Sequence, residues 1–520
     1  MKNLKNVIMI VALMVILPSR IFAQNDTKSR CMNVDCVFEL LLNLNSNDTV
    51  VVAEAGQNIF DIVEEARISG DSRLHDILVQ PIMMYVEKFR QSEYNGVLLS
   101  YLSAVCNGSD IKDIMRLTEI DELADSAIRI IGDIYESAGY IEKYILKHKD
   151  GITHKAAWAY AVGKQNITSM EDVLVSWLKD ADEKTKYEIY NALVVIKTNK
   201  KTVAVIKKGA KRLIKNDNYV YRIGGLRIWN ALYGEKAVPM LYKALKDKNG
   251  DVRRGALELL KPYANQEVVK KVLKKCKNGE ALADAINWLG DIKDDSQMEF
   301  LIKQLSSDDP KVVEATIRAM FKIDNAEGIN VVKPMFGGDY QDVIKESMIV
   351  YEGDYQSLLN DILTKGNDNQ KLVGLQIFEN RPVLNLRERV KTLTSSNNQA
   401  IKDEAFKVLK FVVIPTDADF LKALMDYCDE KYVADVQIAL RDAMAQSSAD
   451  KKDEFVSTMK HVRADVMPRF YNVFAYFGTD LCVDKLIEAY QHGNYKEEAK
   501  EALLLVEDEK YAARIQEVLK

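Results

Sequence analysis

Apolar residues along this chain keep helical spacing, and from about Asp172 onward they do so in pairs of short amphipathic helices separated by polar turns. The residue opening the first helix of each pair recurs at Asp172, Val203, Ala237, Val268, Met298, Ile329, Leu358, Arg387, Asp419, Asp453, Val483 and Ala513, a period of 29 to 34 residues. A period in that range predicts a solenoid, because a helix pair can bury its apolar stripe only against neighbouring pairs. In the unit opening at Ala237, Val238, Leu241, Tyr242 and Leu245 line the first helix, a polar turn runs from Lys246 to Gly250, and the second helix follows. Asp251 is expected to cap that second helix by accepting its orphan amides. Gly255 and Ala256 are expected to let the two helices of the pair approach closely.

Residues 24–170 are helical in pattern but less regular. Ile59, Ile62, Val63 and Ala66 hold the spacing of an amphipathic helix, and Ile111, Ile114, Met115 and Leu117 begin another. This stretch predicts divergent helical pairs that cap one end of the array, since a terminal repeat turns one face to water. The expected organisation is therefore a leader over 1–23, divergent N-terminal helical repeats over 24–170, and the repeat array over 171–520.

The second helices carry a resemblance. Asp251-Val252-Arg253-Arg254-Gly255-Ala256-Leu257, Asp309-Pro310-Lys311-Val312-Val313-Glu314-Ala315 and Asn494-Tyr495-Lys496-Glu497-Glu498-Ala499 each step from a turn into a helix led by small residues. Pro310 stands at the first helical position, where its missing N–H is no loss. This signature resembles the second helix of HEAT repeats of the short, roughly 30-residue kind, found also in exported bacterial proteins, and it covers about Asp172 to Lys520. The resemblance implies an all-α fold, an α-solenoid of stacked antiparallel helix pairs, serving as a binding platform rather than an enzyme. The stretch Leu358 to Leu386 departs from it, lacking the Asp-Pro step and carrying a proline between Arg381 and Asn385, where the second helix is expected to run on.

Composition narrows the setting. Lys2 and Lys5 precede an apolar stretch from Val7 to Leu17, and Ile21-Phe22-Ala23 comes before Gln24. That pattern predicts a secretory signal peptide cleaved after Ala23. Its apolar stretch is shorter than the ~20 residues that span a bilayer. The expected mature protein is soluble, periplasmic or secreted, with no transmembrane segment after signal removal. In an exported chain Cys31 and Cys36 are close enough to pair across a turn, while Cys106, Cys276, Cys428 and Cys482 lie far apart and read as buried free thiols.

No catalytic residue is identified. The five histidines, His75, His148, His154, His461 and His492, show no metal-ligand spacing, and His148 and His154 read as a solvated helix end beside Lys143, Lys147 and Lys149. Neither a phosphate-cradling glycine loop nor a nucleophile elbow occurs; Gly224-Gly225 reads as a packing device. Acidic pairs such as Asp294-Asp295 and Asp308-Asp309 fall at turns, where capping accounts for them. No cofactor and no metal is expected.

Charge supplies the one candidate site. Lys197 to Lys277 holds 22 Lys or Arg against six Asp or Glu, a surplus of 16 in a chain whose net charge is −5, leaving −21 for the remainder. Aromatic residues lie among these cations, and Arg222, Arg227, Trp229, Arg253 and Arg254 are the candidate partner-binding residues, with Arg253 and Arg254 expected on the concave side where second helices lie in HEAT-like arrays. The alternative reading is a solvated helix side, as Lys270, Lys271, Lys274 and Lys275 suggest by their spacing, with Trp229 and Tyr233 in the core. The expected function is a non-catalytic scaffold of the cell envelope that binds a protein, an anionic polymer or a glycan, the acidic total and export disfavouring nucleic acid. The second expectation is an accessory module of a carbohydrate-degrading system.

Overall fold

The computed structural model describes residues 33–149 and 151–520, so the expected signal peptide and Cys31 lie outside the described residues. Among the described residues every regular element is a helix, and no strand occurs. The chain divides into two compact units, Met1–Tyr263 and Ala264–Lys520.

In the first unit, first helices (Val34–Asn43, Ser72–Lys88, Ile111–Leu117, Ala138–Lys147, Glu171–Trp177, Lys200–Leu213 and Val238–Ala244) alternate with second helices (Thr49–Ser69, Asn95–Val105, Asp121–Asp133, Lys155–Lys164, Glu183–Ile196, Tyr219–Tyr233 and Gly250–Leu260). Each second helix packs on the next, forming a continuous layer, and the first helices cover it. This is an α-solenoid of stacked helix pairs, and the alternation starts at the first described helix. The N-terminal stretch looks less periodic in sequence because Thr49–Ser69 and Ser72–Lys88 run to 21 and 17 residues. Those lengths shift the spacing without changing the packing rule.

The second-helix layer is tight because small residues face each other at a fixed interval. A methyl placed on Gly132 would lie 2.8 Å from Ala161 Cα, and one on Gly163 would lie 2.8 Å from Ala192 Cα. Such distances leave room for a hydrogen only. Gly224 and Gly225 act similarly: a Cβ on the first would strike the Tyr187 ring at 2.2 Å, and on the second Ile214 N at 2.7 Å. Gly255 faces Ile223 of the preceding second helix at 3.3 Å. It therefore eases contact between successive second helices, not within its own pair as expected.

The second unit repeats the scheme from Gln266–Lys275 to Ala512–Leu519, with second helices stacked from Gly279–Asp291 through Lys496–Leu504. Gly290 meets Ala319 Cα at 2.7 Å, the same device at the same interval of 29 residues. Tyrosine-to-aspartate ties bind successive repeats: Tyr432 donates to Asp403 at 2.5 Å, Tyr511 to Asp480 at 2.6 Å, and Tyr351 to Asp324. Asp309 caps its helix by accepting from Lys311 N at 3.0 Å, and Asp294 accepts from Ser296 N at 2.8 Å, as expected of acidic turn residues. In the unit where Pro382 departs from the repeat pattern, the second helix ends at Phe378. There Arg381 leaves the helix, stacks on Tyr355 with its guanidinium carbon 4.0 Å from the ring centroid, and donates to Met348 O.

Candidate functional site

The cationic zone of the first unit begins at Lys197. Residues 33–196 carry 15 Lys or Arg against 27 Asp or Glu, whereas 197–263 carry 17 against five. What matters for binding is which of those charges the fold already neutralises.

Arg222 is buried and committed. Its Nε and Nη2 donate to the two Asp247 oxygens, both at 2.9 Å, and its Nη1 donates to Asn216 O at 2.9 Å and Asp217 O at 2.8 Å. Burial pushes the Asp247 carboxyl up, but hydrogen bonds from Arg222 and the Asn249 amide outweigh it and hold it below its ordinary value. Arg253 is buried too, its Nη1 donating to Asp247 O at 3.2 Å. Both arginines follow a capping asparagine by four residues, Asn218 and Asn249, and both fold back onto the turn that precedes their helix. Asn249, not Asp251, is the N-cap. Asp251 stands in the first turn and pairs at 2.5 Å with the exposed Arg254. Three of the five candidate residues thus work within the fold, and Arg253 points to no partner-facing surface.

Arg227 is exposed and makes no ion pair or hydrogen bond among the described residues. Trp229 is half-buried, its ring tilted 46° to that of Tyr233 with centroids 4.6 Å apart, and Lys211 Nζ lies 5.7 Å from its ring centroid. Neither ring is core alone, so the aromatic pair lines the border between core and solvent.

The densest group of remaining cations sits on the first helix Lys200–Leu213, which the sequence reading did not single out. Lys236, Lys243, Lys246 and Lys248 elsewhere in the zone are likewise exposed and without an ion pair among the described residues. Thr202, Ile206, Gly209, Ala210 and Leu213 turn inward. Lys200, Lys201, Lys207, Lys208, Lys211 and Lys215 are all exposed, and none forms an ion pair among the described residues. Lys200 and Lys201 occupy the first turn, where no acid is present, so they oppose the positive end of the helix dipole. The buried Glu171 carboxylate compensates, accepting from Thr198 N and Asn199 Nδ2, both at 2.8 Å. Lys201 and Lys208 lie two turns apart, about 10 Å along the helix axis, and Lys215 follows in the turn just past Leu213. Their sequence signal was present as an i, i+7, i+14 spacing, but the larger charge surplus around them masked it.

Histidines follow a different pattern from the one expected. His154 is clamped, Nδ1 2.8 Å from Asp125 and Nε2 3.0 Å from Asp121, rather than solvated. His148 Nδ1 faces Tyr144 O at 2.9 Å. Among the described residues, no three His, Cys, Asp or Glu side chains are grouped to hold a metal ion, and no helix is long and apolar enough to cross a membrane. Cys276, Cys428 and Cys482 are buried free thiols, and Cys106 is a half-buried one.

No family model and no curated protein matches the chain. Solved structures similar to it are long helical proteins. One is Kap95p, from work on how its binding induces the switch loops of RanGDP to adopt the GTP-bound conformation (10% identity, 94% of this chain and 79% of that one, TM-score 0.42). Another is importin beta in an ammonium sulfate condition (11% identity, 93% and 90%, TM-score 0.36). A third is UNC-45 from Drosophila melanogaster (12% identity, 92% and 88%, TM-score 0.29). At these identities and TM-scores the likeness supports no inference about this chain's partners.

Proposed function

We propose that this protein is a non-catalytic binding scaffold of the cell envelope, exported by the leader over residues 1–23, and that its first unit takes an anionic partner. One observation carries the reading: six exposed lysines on and just beyond one helix stand without a carboxylate, while the buried Arg222 nearby is paired with both oxygens of Asp247. Unpaired surface charge of one sign destabilises a fold slightly through self-repulsion. The cluster of six on and just beyond one helix suits a partner of opposite sign, which would gain association rate and specificity from it.

Two measurements test the reading. Binding of the purified chain to linear polyanions should be tight at low salt and fall steeply as ionic strength rises; absence of binding to any polyanion overturns it. N-terminal sequencing of the exported protein should begin at Gln24, and an uncleaved intracellular chain contradicts the envelope assignment.

A further inference from the structure

We infer that the lysine face of the Lys200–Leu213 helix, together with the Lys211–Trp229–Tyr233 cluster, binds a linear polysaccharide bearing carboxylates. This deepens the anionic-partner reading and rests on it.

The chemistry of the face selects among anions. A folded acidic protein needs a desolvated core of aromatic and apolar groups, and lysine is depleted from such cores. The residues of this helix that reach solvent are Lys200, Lys201, Lys207, Lys208, Lys211 and Arg212, with small Ala204, and no large apolar side chain is exposed on it. An extended acidic peptide is held by a sheet edge, an apolar groove or an arginine cluster, and the unpaired cations of this helix are all lysines. No strand occurs among the described residues, so no sheet edge is on offer. A polyuronate needs neither. Its carboxylates and hydroxyls accept hydrogen bonds, and each lysine ammonium offers three donors on a long stem. Lys201 and Lys208 stand about 10 Å apart along the helix axis, with Lys215 just past its end, a spread suited to charges that recur along a chain.

The aromatic pair adds what charge alone lacks. Trp229 is half-buried and braced by Tyr233 at 4.6 Å, with the Lys211 ammonium 5.7 Å from its centroid. A flat indole beside a cation matches a uronate ring, whose C–H face is apolar and whose edge is charged. Arg212 is excluded from this role, since it is paired to Glu183 at 2.9 Å.

The test uses the full mature chain and two probes of equal charge, polygalacturonate and poly-glutamate. Polygalacturonate should bind more tightly, and Lys201→Gln/Lys208→Gln/Lys215→Gln should weaken it at least tenfold with an unchanged melting midpoint. Trp229→Phe, which keeps an apolar ring on Tyr233, should weaken polygalacturonate several-fold, leave poly-glutamate unchanged, and abolish a ligand-induced change in tryptophan emission. Equal binding of both probes with no effect of Trp229→Phe overturns the polysaccharide assignment and leaves the anionic scaffold standing. Binding to phosphatidylglycerol vesicles without polygalacturonate binding also overturns it. Failure of every anion to bind removes both readings.

Discussion

Between Asp121 and Ile196 the second helices meet almost backbone to backbone, and four of their five cations are matched by carboxylates, the fifth, Lys155, lying 6.0 Å from the Trp177 ring centroid. Arg129 reaches across the Lys155–Lys164 helix to Glu188 at 2.7 Å, Lys184 reaches across it to Asp125 at 3.1 Å, Lys164 meets Asp133 at 3.5 Å, and Lys186 meets Glu183 at 3.7 Å. One repeat later, the Lys200–Leu213 helix bears a row of lysines that no carboxylate meets among the described residues. The same unit therefore uses ions in two ways. Where helices converge, charge is spent on register between repeats. On the first-helix side, where the stack leaves a face uncovered, charge is left to solvent and available to a ligand.

Four variants sharpen that contrast, as two pairs that each set a large effect beside a small one. Arg222→Leu should cost about 2–3 kcal/mol, because it strips the half-buried Asp247 carboxylate of two charged hydrogen bonds. Arg227→Leu, on the exposed side of the same helix, should shift stability by no more than about 0.5 kcal/mol; urea midpoints of the two variants measure the difference. Gly163→Val should cost about 3 kcal/mol by forcing a side chain against Ala192 Cα, the upper end of overpacking, and Gly139→Val, where nothing lies within 4 Å of the added Cβ, should cost less.

Glu171 gives a pH test. Burial pushes its carboxyl up, but hydrogen bonds from Thr198 and Thr202 outweigh this and leave it below 4.5 in the folded chain. A carboxyl lowered on folding contributes stability that is present above its unfolded value and is lost as pH falls through the folded one. Stability should therefore drop below about pH 4.5, and Glu171→Gln should flatten that acid limb in melts recorded across pH. One further small effect is opposite in sign. Lys200→Glu and Lys201→Glu should each stabilise by about 0.3–1 kcal/mol by matching the helix dipole, while weakening anion binding.

Much of this fold was legible in the sequence. All twelve expected repeat openings fall within or beside the start of a first helix, because a pair that must bury a stripe on each neighbour writes its period into the apolar positions. The Gly132–Ala161, Gly163–Ala192 and Gly290–Ala319 contacts were not legible, since a glycine shows its absence of side chain but not what fills the space. Charge was legible as a surplus and misleading as a site. Arg222 and Arg253 read as cationic surface, and only their shared place four residues after Asn218 and Asn249 hinted at an inward role. Burial of an ion depends on a partner 25 residues away, Asp247 in the case of Arg222, which composition does not reveal. The lysine stripe went unnoticed for the converse reason: nothing in the sequence says which of many lysines remain unmatched after folding.

The most direct test of the division between matched and surplus charge is the urea unfolding midpoint of Lys201→Gln/Lys208→Gln/Lys215→Gln beside that of the parent chain. These lysines hold no structural partner here, so the midpoint should stay equal or rise as repulsion is relieved. A clear fall, equivalent to about 1 kcal/mol or more, would show that the stripe stabilises the fold and contradict its assignment to a ligand.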